Sequence, residues 1–122
     1  MPQGSFTDLK VWQLAKDLAI ETYKILNIFP ADEQYALTAQ IKRAVVSVAA
    51  NIAEGFGRYH FRDKCKFFIT ARGSLTELRS HLLIAHELSF LTDESLDNLE
   101  KRIRDLSVRL NKLLTSTREM GE

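Results

Sequence analysis

Three histidines and one cysteine are the residues of this chain best suited to catalysis or metal binding. The histidines are His60, His81 and His86, and no two stand four residues apart, the spacing that places two imidazoles on one helical face. Glu77 and His81 have that spacing, but a di-iron bundle needs a Glu-x-x-His motif on each of two helices, and the sequence lacks it. Cys65 has no second thiol as a partner. The sequence therefore predicts no metal site.

Motifs for nucleotide binding and nucleophilic catalysis lead to the same expectation. Gly55-Phe56-Gly57 follows a helical pattern, whereas a dinucleotide-binding glycine loop follows a strand. Ser47 and Ser74 lie within helical patterns without a histidine in a supporting register, and we interpret them as small polar packing residues. We therefore predict no catalytic residues, no cofactor and no enzymatic activity.

A row of polar residues in an otherwise apolar helix is the most unusual feature of the sequence. Residues 44–53 carry no charge, and apolar side chains cover most of the helix surface around them. Such a helix is normally enclosed by neighbours on more than one side, so its polar groups need hydrogen-bond partners. We predict a buried polar seam shared between this helix and the next. Its predicted members are Gln40, Ser47, Asn51, Glu54, Ser74 and Glu77.

The predicted seam allows two interpretations. It is either a ligand site inside a helical bundle, or a structural device that sets the register and the choice of partner between helices. The structural interpretation is the simpler one.

Positive charge is concentrated in the middle of the chain, although the net charge is only +1. Residues 42–79 carry eight lysines and arginines against three acidic residues, while both flanking segments are acidic. Such asymmetry indicates either an anionic partner or simply a solvated charged face. The candidate nucleic-acid-binding residues are Lys42, Arg43, Arg58, His60, Arg62, Lys64, Lys66 and Arg72.

Hydrophobic periodicity predicts four helices that position these residues. The first spans about 7–28 and stops before Pro30, the second runs from about Asp32 to the region 54–57, and the third covers 61–89. Thr92 caps the fourth, whose polar tail from Thr115 to Glu122 is expected to fray. The row of apolar residues expected to face the core from the fourth helix is Leu96, Leu99, Ile103, Leu106, Leu110 and Leu113.

Glycines and aromatic residues give further local expectations. Gly55 and Gly57 are expected to end the second helix. Gly73 lies inside the third helix, where its cost relative to alanine suggests close approach to another helix. In the link between these helices, the aromatic residues Phe56, Tyr59 and Phe61 are expected to be buried.

Four amphipathic helices joined by short links predict an all-α fold, an antiparallel up-down four-helix bundle formed by a single domain over 1–122. Five glycines and two prolines are too few for the turns of an all-β fold. The first ten residues lack the pattern of a signal peptide, and no apolar run reaches the length of a membrane span. A lone cysteine fits a reducing compartment, so we expect a cytoplasmic protein without a membrane partner.

Several motifs resemble one known family over nearly the whole chain. They are Phe6-x-Asp8-Leu9-x-Val11-Trp12, Phe29-Pro30, Gln40-Ile41-x-Arg43-Ala44, Ser47, Asn51-Ile52-Ala53-Glu54-Gly55, Gly57-Arg58 and Gly73-Ser74-Leu75-x-Glu77-Leu78. In this order they resemble the four-helix-bundle proteins named after intervening sequences of 23S rRNA, also called S23-type proteins. The run NIAEG followed by GSLxEL is the specific part of the likeness.

The resemblance implies a bacterial helical bundle that assembles as a ring-like homo-oligomer, commonly a homopentamer, without known enzymatic activity. The family is also similar to the accessory proteins of diversity-generating retroelements, which bind a reverse transcriptase and nucleic acid. Two hypotheses follow: a module that binds structured RNA or other nucleic acid, or a protein-binding accessory subunit of a nucleic-acid enzyme. The apolar surface of the second helix, larger than one chain's core needs, also predicts a homo-oligomer.

Overall fold

The computed structural model describes residues 4–121, which form four α-helices and, within that range, no β-strand. The helices are α1 (Lys10–Leu26), α2 (Leu37–Phe56), α3 (Phe61–Glu87) and α4 (Asp93–Gly121). The predictions of an all-α class and of four helices are confirmed.

Two helices begin later than predicted because short 3₁₀ turns precede them. Phe6–Asp8 forms one such turn, and the hydroxyl of Ser5 accepts a hydrogen bond from the Thr7 amide at 3.2 Å. Ala31–Glu33 forms the other directly after Pro30. The carboxylate of Glu33 then accepts a hydrogen bond from the Leu37 amide at 3.3 Å, which satisfies one of the free donors at the start of α2.

Consecutive helices pack against each other, and α1 also packs against α4, which closes the bundle. Cross-helix contacts show that neighbours run antiparallel. Between α2 and α3, for example, Ser47 meets Ser74 while the later Phe56 meets the earlier Lys64. Between α3 and α4, Arg72 bonds to Asn111 and the later Arg79 to the earlier Glu100. This geometry follows from long helices joined by short links.

The core is built from one apolar face of each helix. On α2, the side chains of Ile41, Val45, Val48 and Ile52 are fully buried. The opposite side of this helix is open, since Val46 keeps 48% of its surface exposed. Within one chain, α2 therefore packs against α1 and α3 but leaves the side that carries Val46 exposed.

The core-facing row of α4 differs from the predicted row at both ends. Leu96 and Leu113 are only half-buried, whereas Leu114 and Thr117 are buried. A straight α-helix drifts by about 20° per heptad against a strict 3.5-residue repeat, so the buried face moves one position along by the end of the helix. The core residues of this row are Leu99, Ile103, Leu106, Leu110, Leu114 and Thr117.

The predicted fraying of residues 115–122 is wrong for 115–121, because α4 continues to Gly121, and Glu122 lies outside the described residues. Thr117 is buried and its hydroxyl donates to the Leu113 carbonyl at 2.7 Å. At Gly121 an added Cβ would lie 3.0 Å from the Cβ of Phe61. The last turn of α4 is therefore packed against the first turn of α3.

The close helix approach that was expected at Gly73 is found at Gly55. Gly55 lies within α2, where an added Cβ would come within 2.6 Å of the Phe68 ring, so it is Gly55 that permits close helix approach. Gly73 is exposed on α3, and an added Cβ would meet no atom within 4 Å. Helix α2 ends at Phe56, and Gly57 is its C-terminal cap.

The C-terminus of α3 contains a serine in a left-handed conformation. Ser89 has φ 66°. Its amide donates to the His86 carbonyl and the Phe90 amide donates to the Ala85 carbonyl, both at 2.9 Å, which is the Schellman pattern. Glycine adopts this conformation without steric cost, so serine is strained here.

The two glycines give a matched test of helix packing. Gly55→Ala forces a methyl group against the buried Phe68 ring and should lower the free energy of unfolding by about 1–3 kcal/mol. Gly73→Ala should instead raise it by about 0.5–1 kcal/mol, because alanine is the better helix former and has room. Urea unfolding followed by circular dichroism measures both. A stabilising Gly55→Ala would contradict the described α2–α3 contact.

The left-handed serine gives a second test by the same method. Ser89→Gly should raise the free energy of unfolding by about 0.5–1 kcal/mol, since it removes the Cβ strain at positive φ. Ser80→Gly, at an exposed position inside α3, is the matched control and should lower stability by a few tenths to about 1 kcal/mol. Equal effects of the two substitutions would refute the strain at Ser89.

Candidate functional site

Three members of the predicted polar seam meet between α2 and α3. The hydroxyls of Ser47 and Ser74 lie 2.8 Å apart, so one donates to the other. The amide nitrogen of Asn51 donates to the Ser47 carbonyl at 2.8 Å and to the Ser47 hydroxyl at 3.0 Å. All three residues are half-buried. Their polar groups bond to one another, an arrangement that fits the packing of helices better than the recognition of a ligand.

The other predicted members do not join this cluster, so the prediction of one buried seam is wrong. Glu54 is exposed and accepts a bond from Arg58 at 2.9 Å, and Glu77 is exposed and lies 3.2 Å from His81. Ionised carboxylates are costly to bury, which keeps both at the solvent edge. Gln40 is half-buried near the start of α2, about two turns before Ser47.

The predicted basic residues do not form one surface. Lys42 and Arg43 are exposed near the start of α2, about 20 Å along the helix axis from its end at Phe56, and Arg58 follows that end. The ammonium group of Lys42 lies 5.3 Å from the centre of the Tyr23 ring on α1. These two cations belong to a different region of the molecule from those in the α2–α3 link.

Three further cations have partners within the fold. The ammonium group of Lys64 donates to the Phe56 carbonyl at 2.7 Å and so caps the end of α2. Arg58 pairs with Glu54 and lies 4.6 Å from the centre of the Phe67 ring. Arg72 donates to the side chain of Asn111 at 3.2 Å.

The remaining predicted residues, His60, Arg62 and Lys66, are exposed where α3 begins. The last turn of α4 brings Arg118 to the same place, and a cleft is lined by Arg62, Lys66 and Arg118 together. None of these three arginine and lysine side chains forms an ion pair within residues 4–121. Arg118 was not among the predicted basic residues because the tail was expected to fray. The continued helical spacing of Leu114 and Thr117 was the available signal.

Aromatic residues of the link are more exposed than predicted. Tyr59 is 88% exposed, and its ring lies 5.0 Å from the His60 ring at 84°. Phe61 is 37% exposed, while Phe56 is half-buried. The link is too short to fold back over the core, so Tyr59 extends from the end of the bundle. We name Tyr59, His60, Arg62, Lys66 and Arg118 the basic end.

Other polar pairs lie along the helices. His86 and Asp93 are 2.5 Å apart, and Arg79 forms two hydrogen bonds with Glu100 that raise the pKa of the guanidinium above its usual value. Cys65 is a half-buried free thiol. Among residues 4–121, no group of three or more histidine, cysteine or acidic side chains is placed to hold a metal ion. In the same range, no helix combines the length and apolar character needed to cross a membrane.

Comparison with a solved structure supports the fold. A crystal structure of a protein with unknown function from the S23 ribosomal protein family of Bacteroides thetaiotaomicron superimposes with a TM-score of 0.75 at 20% sequence identity. The similarity covers 85% of this chain and 97% of that one. Curated protein sequences contain no match to the chain.

A family model matches most of the sequence. The match covers residues 7–112, from the 3₁₀ turn before α1 into the later part of α4, and the model describes the 23S rRNA-intervening sequence protein. The NIAEG and GSLxEL motifs lie inside it, on either side of the α2–α3 contact. The chain therefore belongs to the 23S rRNA-intervening sequence protein family.

Proposed function

We propose that this protein is a non-enzymatic, homo-oligomeric bundle that binds structured RNA through its basic end. The observation that carries the proposal has two parts: the exposed Tyr59–His60 pair comes directly before the first turn of α3, and the cations Arg62, Lys66 and Arg118 line one cleft there and form no ion pair in the described part of the chain. The family name refers to an intervening sequence of 23S rRNA, and this makes structured RNA the ligand class to test first.

The chemistry of the basic end suits RNA with unpaired bases. Lysine and arginine side chains neutralise phosphates and release counterions, which drives binding at low salt. Exposed aromatic and histidine rings stack on bases that are not paired. Tyr59 is fully available for such stacking, because its ring packs only against the neighbouring His60 among the aromatic contacts described. RNA loops are therefore favoured over duplex DNA.

The low net charge of +1 is compatible with RNA binding, because the positive charge that contacts RNA is confined to the basic end. Arg58, Lys64 and Arg72 are engaged within the fold, which leaves a small basic end and not an extended basic face. One such end holds few phosphates. A ring of copies would repeat it around an axis and raise the affinity through multivalency.

The α1–α2 side of the bundle supports the oligomeric part of the proposal. Val46 is 48% exposed, Ile20 is 47% exposed and Tyr23 is 41% exposed. Lys42 lies over the Tyr23 ring, and antiparallel packing brings Ile20, one turn before Tyr23 on α1, to the level of Val46, one turn after Lys42 on α2. We name Ile20, Tyr23, Val46 and Ala50 the outer apolar face. It fits a second copy of the chain, with a homopentameric ring as the expected assembly.

The test of RNA binding is fluorescence anisotropy with a labelled RNA hairpin at low and moderate salt. Arg62→Glu/Lys66→Glu should weaken binding by about tenfold or more and reduce the salt slope by about 1.4, since two phosphate contacts are lost. Lys101→Glu/Arg104→Glu is the control with the same change in charge, on exposed α4 positions about 20 Å or more from Arg118 along the helix.

Two results would contradict RNA binding through the basic end. One is the absence of wild-type binding at low salt, and the other is an equal effect of both double variants. In either case the basic end is a solvated surface. The protein-binding accessory subunit then becomes the better proposal.

The test of assembly compares two valines of matched exposure. Val46→Asp on α2 should reduce the mass measured by light scattering at micromolar concentration, because a charge enters the proposed interface. Val108→Asp on α4, where valine is 50% exposed, should leave the mass unchanged. A wild-type mass of 14.0 kDa would overturn the homo-oligomer and leave the outer apolar face to a different protein partner.

A further inference from the structure

A cleft at the basic end combines the cations of the proposed RNA-binding surface with an apolar surface that has no role in that proposal. It lies between the first turns of α3 and the last turn of α4 and has a volume of about 630 Å³. This volume falls within the range of about 300–1,000 Å³ that is usual for small-molecule sites. The cleft is lined by Phe61, Arg62, Asp63, Cys65, Lys66, Ile69, Arg118 and Gly121.

The floor of the cleft is apolar. Phe61 keeps 37% and Ile69 keeps 40% of its surface exposed, although both belong to a helix that buries other apolar residues well. Gly121 lies against Phe61, where an added Cβ would be 3.0 Å from the Phe61 Cβ and 3.5 Å from its ring. The absence of a side chain at this position leaves room beside the aromatic ring.

The rim of the cleft is cationic. Arg62, Lys66 and Arg118 are exposed and form no ion pair within residues 4–121, while Asp63 is the one acidic residue in the lining. Two of these cations come from α3 and one from α4, so a bound anion would be held from both sides. An apolar floor with a cationic rim requires a ligand with a flat apolar part and a negative charge.

We infer that this cleft binds a single unpaired nucleotide of an RNA chain. The base stacks on Phe61, and its flanking phosphates contact Arg62, Lys66 and Arg118. The inference rests on the RNA binding proposed above and assigns one nucleotide of that RNA to a defined place. A base within a duplex cannot enter the cleft without being unpaired, so binding requires a loop, a bulge or a free end.

Cys65 provides a direct probe of occupancy, because it lines the cleft and is the sole cysteine of the chain. Its rate of alkylation by N-ethylmaleimide, an uncharged reagent, should fall severalfold when oligouridylate or an RNA hairpin saturates the protein. A blunt RNA duplex with the same phosphate concentration should protect Cys65 much less. Uridine monophosphate should protect only at much higher concentration, since it lacks the neighbouring phosphates.

Variants of the rim and the floor test the same assignment by anisotropy. Arg118→Glu should weaken binding of the hairpin and lower the salt slope by about 0.7, whereas Lys112→Glu, at an exposed α4 position outside the cleft, should change neither as much. Phe61→Leu keeps an apolar side chain but removes the stacking surface, and it should weaken binding by about fivefold. Circular dichroism confirms that each variant is folded.

The outcomes separate this inference from the proposed function. If wild-type protein binds the hairpin while Cys65 alkylation is unchanged, or if Arg118→Glu and Lys112→Glu act alike, RNA binds outside the cleft and the inference fails alone. If the hairpin does not bind at low salt, both fail. Protection of Cys65 that is equal for duplex and hairpin would also overturn the assignment of an unpaired nucleotide.

Discussion

The fold depends on the close approach of α2 and α3 at Gly55. The ring of Phe68 occupies the space that any larger side chain at position 55 would fill. About two turns away along the same pair of helices, this contact allows the hydroxyls of Ser47 and Ser74 to reach hydrogen-bonding distance. Because the helices are this close, a link of a few residues suffices to connect them. The link in turn holds Tyr59 and His60 at the end of the bundle.

Cations near this α2–α3 contact have partners within the fold, whereas cations on the opposite side of α3 form no ion pair within residues 4–121. Lys64 caps the end of α2, and Arg58 is held between Glu54 and the Phe67 ring. Arg62 and Lys66 lie on the other side of α3, where α4 ends. Arg118 joins them because Gly121 lets the last turn of α4 pack against Phe61. The basic end is therefore produced by helix packing, and only part of the basic segment contributes to it.

Polar groups serve different purposes at different depths in this bundle. Ser47, Asn51 and Ser74 are half-buried and satisfy one another, which fits a role in the alignment of α2 and α3. Glu54 and Glu77 lie one helical turn beyond Asn51 and Ser74 at the solvent edge, where Glu54 pairs with Arg58 and Glu77 lies 3.2 Å from the His81 ring. The outer apolar face shows the opposite case, because apolar side chains of valine, isoleucine and tyrosine on α1 and α2 are exposed to solvent.

The sequence by itself determined the helices, because their apolar spacing is a local property. The buried faces of α2 and α4 followed from the helical period of about 3.6 residues. The shift of the buried position from Leu113 to Leu114 also follows from this period, because it differs from the repeat of about 3.5 residues used to predict the row. Tertiary structure alone decided the roles of Gly55 and Gly73, which look alike in sequence but differ in what stands opposite them. It also decided that Glu54 and Tyr59 are exposed and that Arg118 lines the same cleft as Lys66. Proximity between helices arises from how side chains fill the space between them, and no spacing along a single helix encodes it.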